Sequence, residues 1–519
     1  QYQATPLDDY VNAPDPYFSW TIIETYEEPD YKLYIVNLTS QKWIDETFSS
    51  RPIWWHYLCI TVPNQLTRPN TAFMLIDGGS NTDGIPKPTD ESVALMSMLA
   101  LGTGSITADL QDIPNVPIRF MASFLLINWE ETRNDNAALA WTWKAFIDNQ
   151  SNPAVLLHLP MTKASVRAMD AVQKFTAQLR IPVPETFVIG GVSKVNYFLL
   201  YEHQLILTRI DSADGQVSHV GSLKFFFFHM TYSSAWTMAA VDTKRIIGAT
   251  SIVMDLVNLQ INLHHLYRSL NGWTFAMKDF YELDIFGTID TNNFTQMAGI
   301  IDPYNYFNRY TTIKTLQIQT TGDEFFLLDN EICPPELQRA TGGTYLRRIP
   351  NAKHQCIGHL ISIVLTIRSF YLSIYEKQTL PSLQWIKSSN NTHGYIRAVV
   401  DFSVGPKPIN GIGYRARTLN DKRRDFRLFI GDPSDPVKPM ANPVIWFTTP
   451  LVTEAQTDTT IIYSLTIERP LDGWEGFFIQ VNFPGPDGSV LELTSETQVI
   501  PDTYPTGDCH NEGCAGTLV

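Results

Sequence analysis

Thr186-Phe187-Val188-Ile189-Gly190-Gly191-Val192-Ser193-Lys194 is a β-branched and aromatic run that breaks at two glycines just before a serine. A strand ending this way can turn sharply into a helix, because glycine removes the Cβ atoms that would collide where strand and helix cross. A nucleophile elbow uses such a turn to push a serine hydroxyl outward. Gly191 fits the first small position of the G-x-S-x-G pattern, and Val195 stands where its last glycine would be. Read alone, Ser193 is more commonly a helix N-cap, its hydroxyl accepting a backbone N–H of the next turn.

Outward from this stretch, between about residues 31 and 376, short apolar runs alternate with longer helix-period segments. That is the pattern of an α/β sheet flanked by helices. Strands are expected over 31–37, 54–62, 72–77, 106–110, 186–190, 246–254, 312–320 and 344–349, most ending at or near Gly, Pro, Asn or Asp. Helices are expected over 90–100, 137–148, 162–179, 235–241, 262–270 and 357–375, with Thr162 as an N-cap and Ser269 in a last turn. After Pro381 the texture changes to strand-like runs at 394–402, 426–430, 443–447, 460–467 and 474–483, separated by Pro, Gly and Asp turns. These predict a C-terminal β domain, a small sandwich rather than a barrel.

A serine nucleophile needs a base and an acid that orients the base, and α/β-hydrolases supply them in the chain order Ser, Asp or Glu, His. Asp323, in Thr321-Gly322-Asp323-Glu324, follows one expected strand, and His354, in Asn351-Ala352-Lys353-His354, follows the next. Neutral imidazole can take the serine proton near pH 7, and a carboxylate on its other nitrogen fixes the tautomer. The catalytic set read from the sequence is Ser193, Asp323 and His354. Glu324 and Asp329 are the other acids of the stretch, expected as solvated charges or caps, and His359 as a helix-face histidine. The oxyanion donors are expected on the backbone of Gly79 and Ser80, after the third expected strand, and of Lys194. His264 and His265 are adjacent and cannot both face one ion, so no metal is expected, and no cofactor.

Apolar residues make up 44% of the 519 and charged residues 18%, enough apolar surface to fold as two or three domains. The net charge of −15, with no basic block, argues against nucleic acid and anionic membrane as partners. No apolar run is long enough to span a bilayer; the best, 357–375, is interrupted by Arg368. The first residue, Gln1, fits a processed mature chain, and the sequons at Asn37, Asn149, Asn293 and Asn390 fit N-glycosylation and export. Of the five cysteines, Cys509 and Cys514 flank a turn near an end expected to fray. Cys333 and Cys356 flank a segment that can bring them together, which leaves Cys59 as a buried thiol.

The motifs Leu7-Asp8-Asp9-Tyr10-Val11 with Pro14-Asp15-Pro16, Gly191-Val192-Ser193-Lys194, Met254-Asp255-Leu256-Val257-Asn258, Tyr267-Arg268-Ser269-Leu270-Asn271-Gly272-Trp273, Gly322-Asp323-Glu324-Phe325-Phe326 and Asn351-Ala352-Lys353-His354 span nearly the whole chain. Together they resemble the PhoPQ-activated pathogenicity-related protein family, and within it the chain is most similar to secreted members that restrain proliferation of the cells releasing them. The resemblance implies an α/β-hydrolase-like domain over 1–380, with Ser193, Asp323 and His354 at the triad positions, and a β-sandwich-like domain over 381–519. It implies a secreted extracellular signal acting through a cell-surface receptor, able to join an extracellular protein complex. The alternative is a serine hydrolase acting on a small ester or peptide. A third reading, a carbohydrate or adhesion module using Trp385 and Trp474, ranks last because such aromatics are usually core.

The family pattern runs from Ser-Lys directly into a Trp-containing helix, whereas residues 195–232 here separate Lys194 from Ala235-Trp236-Thr237. This segment carries Phe225-Phe226-Phe227-Phe228 and has neither helical period nor clean alternation. One reading is a lid. The other, slightly favoured, is translated intron: Val195-Asn196 can be encoded by a donor-like start and the four Phe codons by a pyrimidine tract, while an exposed tetra-Phe lid would invite aggregation. The intron reading predicts that peptide mapping of the natural protein by mass spectrometry finds Lys194 followed by Ser233, with no peptide from 195–232; peptides from that segment would assign it to the lid.

Overall fold

The computed structural model describes residues 2–121, 131–192, 232–254, 257–330 and 344–519. Among them, nine strands form one sheet: β1 (Ser19–Glu27), β2 (Tyr31–Lys42), β3 (Ile53–Pro63), β4 (Thr71–Ile76), β5 (Thr107–Leu110), β6 (Thr186–Val192), β7 (Ile246–Ile252), β8 (Lys314–Thr320) and β9 (Thr344–Ile349). Their order is β1-β2-β3-β5-β4-β6-β7-β8-β9. The pairs β1–β2, β2–β3 and β3–β5 are antiparallel, and every pair from β5 to β9 is parallel. β4 is buried on both faces, as Thr-Ala-Phe-Met-Leu-Ile requires of a central parallel strand. The chain steps outward from β4 to β5 and returns to place β6 on the other side of β4. The crossover directions therefore diverge between β4 and β6, and such a switch point opens a crevice at the carboxyl ends of the strands.

All eight expected strands form, as β2 to β9. β1 went unread because its Glu- and Thr-rich alternation is that of a partly exposed edge strand.

Helices cover both faces. Those seen are α1 (Pro6–Asn12), α2 (Glu91–Thr103), α3 (Asp135–Asp148), α4 (His158–Gln178), α5 (Tyr232–Val241), α6 (Leu259–Leu270), α7 (Lys278–Glu282), α8 (Asn292–Ile301) and α9 (Leu360–Tyr375). α3, α4, α5, α6 and α8 share one core with Met74, Ile76 and Ile189 of the sheet, while α2 and α9 pack on the opposite face against Phe73, Val188 and Ile318. Thr162 does not cap a helix. α4 begins at His158, because Pro160 sits in a first turn that needs no N–H, and the Thr162 hydroxyl instead donates to His158 O at 2.8 Å.

The C-terminal region is antiparallel throughout. Its strands are β10 (Ser382–Ser389), β11 (His393–Asp401), β12 (Asn410–Arg417), β13 (Phe429–Asp432), β14 (Asp435–Ala441), β15 (Phe447–Thr449), β16 (Val452–Gln456), β17 (Thr460–Glu468), β18 (Glu475–Pro484), β19 (Val490–Thr494) and β20 (Gln498–Ile500). A sheet ordered β10-β11-β17-β16 faces one ordered β15-β12-β18-β19, with β20 also beside β18. Between them Ile396, Ala398 and Val400 of β11 meet Phe477, Ile479 and Val481 of β18. That cluster continues without a break into Phe370 and Tyr371 of α9, so the antiparallel layers and the α/β sheet are held by one core. Trp474 lies in a smaller buried cluster with Phe426 and Phe478, and its indole donates to Thr503 O.

The chain end is tied down rather than frayed. Trp273 N–H donates to Thr517 O, Val519 N–H donates to Trp273 O, and the Trp273 indole donates to Cys514 O at 2.7 Å.

Phe477 is fully buried where the two antiparallel sheets meet. Phe477→Ala is expected to cost about 3–5 kcal/mol, read as a lowered urea midpoint.

Candidate active site

The loops after β8 and β9 are stitched together before either reaches its functional residue. Thr321 N–H donates to Ile349 O, Gly322 N–H donates to Ala352 O at 2.9 Å, and Asn351 N–H donates to Thr321 Oγ1. Gly322 is required by this approach: a Cβ there would lie 2.8 Å from Leu428 Cδ1 and 3.1 Å from Ala352 O. The next residue is Asp323. Its Oδ1 accepts the N–H groups of Phe325 and Phe326 at 2.8 and 3.1 Å, and its Oδ2 lies 2.8 Å from His354 Nδ1. Asp323 and His354 are 4% and 1% exposed, so the pair is shielded from water. The rings of Phe325 and Phe326 pack 4.6 and 5.9 Å from the imidazole.

Glu324 is not a solvated charge. It is 4% exposed, and its Oε2 accepts the backbone N–H of His354 at 3.0 Å. Burial, and then the neighbouring Asp323 carboxylate, push its carboxyl up to about 7. Asp329 is half-buried, bonded to His265 Nε2 at 3.1 Å and ion-paired with Arg424; desolvation raises its carboxyl, but the Arg424 guanidinium outweighs it and holds the group well below the usual range. The sequence shows both acids but not the burial of Glu324 or the pairing of Asp329, which arise only when distant elements close over them. His359 lies immediately before α9 rather than inside it. Cys356 is a free, buried thiol whose Sγ approaches His354 O at 3.6 Å, and Cys333, its candidate partner, lies outside the described residues. Cys59 is the buried thiol expected, and Cys509 and Cys514 are joined.

At the switch point, β4 leads into Asp77-Gly78-Gly79-Ser80. Gly79 has φ +155° and lies against the Asp112 side chain, an arrangement open only to glycine. Among the described residues its N–H makes no hydrogen bond, whereas Ser80 N–H donates to Asp83 Oδ2 at 3.0 Å. β6 delivers the chain to Val192 at the same edge. Ser193 and Lys194 lie outside the described residues. A small, mostly apolar cleft of about 60 Å³ runs along these strand ends. Leu75, Val192, Ile252, Leu95 and Ile363 line it, together with Gln355, the residue after His354.

Of the sequon asparagines, Asn149 and Asn390 are exposed, after α3 and in the β10–β11 turn; Asn37 and Asn293 are half-buried, and Asn293 Nδ2 donates to Ile147 O.

The PhoPQ-activated pathogenicity-related protein family model matches residues 7–197 and 233–427, leaving unmatched a stretch that falls inside 195–232. The chain is 31% identical over 534 residues to autocrine proliferation repressor protein A of Dictyostelium discoideum, covering 99% of this chain and 94% of that one. Among solved structures, acetyl xylan esterase 1 from Thermoanaerobacterium sp. JW/SL YS485 aligns 93% of its length with 71% of this chain, at TM-score 0.40 and 13% identity. An S-formylglutathione hydrolase from Agrobacterium tumefaciens aligns 99% with 69%, at TM-score 0.37 and 10% identity.

A carboxyl whose folded value is raised stabilises the fold below its unfolded value, near 4.5, and loses that contribution as pH rises through about 7. Glu324→Gln, which keeps an acceptor for His354 N–H, is therefore expected to match the unmodified protein in urea midpoint at pH 4.5. At pH 8 it should be more stable, by about 2–3 kcal/mol.

Proposed function

The chain belongs to the PhoPQ-activated pathogenicity-related protein family, and from that premise we propose that it is a secreted extracellular signal that restrains proliferation of the cells producing it, acting through a cell-surface receptor. One observation carries this reading: identity of 31%, extending over nearly all of both chains, with a protein named for autocrine repression of proliferation. No described helix is long and apolar enough to cross a membrane. Exposed Asn149 and Asn390 would carry N-glycan on the exported protein.

The Asp323–His354 pair favours a second reading, a serine hydrolase on the same scaffold. Asp323 holds Nδ1 of the imidazole, so proton exchange runs through Nε2. In this reading Ser193 Oγ attacks the acyl carbon and His354 takes its proton. The oxyanion is met by the N–H groups of Gly79 and Lys194; Ser80 is less suited because Asp83 accepts its N–H. His354 returns the proton to the leaving alcohol or amine, and water, activated the same way, releases the acid. The apolar cleft beside Val192 suits an ester with an apolar acyl group.

Ser193→Ala separates the two readings. As a signal, the protein slows proliferation of cultured producing cells, and the variant does so equally; no effect of either protein on growth overturns this reading. As a hydrolase, the protein is labelled by a fluorophosphonate probe, the label is lost in Ser193→Ala, and Asp323→Asn lowers turnover about 10⁴-fold; a folded protein that never labels overturns that reading.

A further inference from the structure

Away from the candidate active site, the C-terminal strap brings Cys509 and Cys514 beside His264 of α6. One donor atom from each of the three lies within 4.8 Å of the other two. The two sulfurs are joined as a disulfide, and both cysteines are buried. His264 Nδ1 is 4.0 Å from Cys509 Sγ and 2.8 Å from Asp508 Oδ1. Its other nitrogen, Nε2, is 2.9 Å from Asp290 Oδ1. Two thiolates, an imidazole and a carboxylate make a four-donor set suited to tetrahedral zinc, and the Cys509-His510-Asn511-Glu512-Gly513-Cys514 spacing is within the range zinc sites use. A carboxylate on the far nitrogen is how zinc-bound histidines are ordinarily held in tautomer and orientation. The adjacent His265 is not needed as a ligand, because its Nε2 is committed to Asp329.

We propose that reduction of the Cys509–Cys514 disulfide turns this corner into a structural zinc site, with Cys509 Sγ, Cys514 Sγ, His264 Nδ1 and the Asp508 carboxylate as ligands and Asp290 as the outer partner of His264. A dithiol reductant gives the S–S bond two electrons and two protons and becomes a disulfide itself. The two thiols then release their protons to solvent as Zn²⁺ binds, and the Asp508–His264 hydrogen bond gives way to a bond from each to the metal. The strap does not depend on the disulfide for its place. Its backbone bonds to Trp273 and the Asn511 N–H bond to Asp290 Oδ2 at 2.8 Å remain after reduction, so the four ligands stay together. Arg268, 4.0 Å from Asp508, offsets the excess negative charge of the loaded site. In an oxidising compartment the disulfide persists and the site stays closed to metal.

The test titrates Zn²⁺ into the full chain in two forms: disulfide-bonded, and reduced with dithiothreitol then desalted under argon. The reduced chain is expected to take a single zinc ion and the disulfide form none. A Cys509→Ser, Cys514→Ser double variant should take none, and Asp290→Asn, which keeps all four ligands, should bind about 10- to 100-fold more weakly. Co²⁺ in place of zinc should give the reduced chain thiolate-to-metal absorption in the near ultraviolet. No metal on the reduced chain overturns the proposal. Equal uptake by the double variant does so too. If the double variant fails to fold, the Asp290→Asn affinity and the cobalt spectrum decide: unchanged affinity, or a spectrum without thiolate absorption, overturns the site.

Discussion

Parallel pairing from β4 to β9 puts five successive strand ends, those of β4, β6, β7, β8 and β9, on one edge of the sheet, and from that edge hang Asp323, His354 and the Gly78-Gly79 loop. A parallel register leaves no freedom in this: once β8 and β9 are aligned from Thr315↔Thr344 to Thr320↔Ile349, residues a few positions beyond each strand must meet. The loop bonds through Thr321, Gly322 and Asn351 convert that general proximity into a hydrogen bond between Asp323 and His354. The crossover reversal between β4 and β6 does the same for the Gly78-Gly79 loop and the end of β6.

Burial gives this corner its electrostatic character. Two adjacent carboxyls and an imidazole are withdrawn from water together, which would be prohibitive for groups without partners. Asp323 is compensated by two backbone N–H groups and the imidazole, and Glu324 by the backbone N–H of His354. Burial, and then the neighbouring Asp323 carboxylate, drive the Glu324 carboxyl up to about 7.

The antiparallel C-terminal layers support the same corner from outside. Leu428 fills the space that a side chain at position 322 would need, Trp446 N–H donates to Asn351 Oδ1 at 2.7 Å, and Thr494 Oγ1 accepts Arg348 N–H. The β region therefore does more than follow the α/β sheet in sequence. It buttresses the two loops that carry Asp323 and His354, while the last residues return to Trp273 and close the opposite side.

Much of this was legible in the sequence. Strand positions were fixed by local content, since fully buried parallel strands read as continuous β-branched and aromatic runs. The order of Ser193, Asp323 and His354 could be read because each follows such a run directly. Features that depend on partners far along the chain could not be read. β1 carries a weak local signal and forms against a surface supplied by β2, whereas the start of α1 is marked locally by Thr5, Pro6 and Asp8. The burial of Glu324 and the pairing of Asp329 depend on residues such as His354, His265 and Arg424, which linear spacing does not place. The gathering of His264, Asp290, Asp508 and the two cysteines joins three segments of chain. Local composition decided which elements exist, because periodicity and turn chemistry act over a few residues. Tertiary structure alone decided which charges lose water and which donors converge, because both depend on distances that only the packed sheet and its closing strap establish.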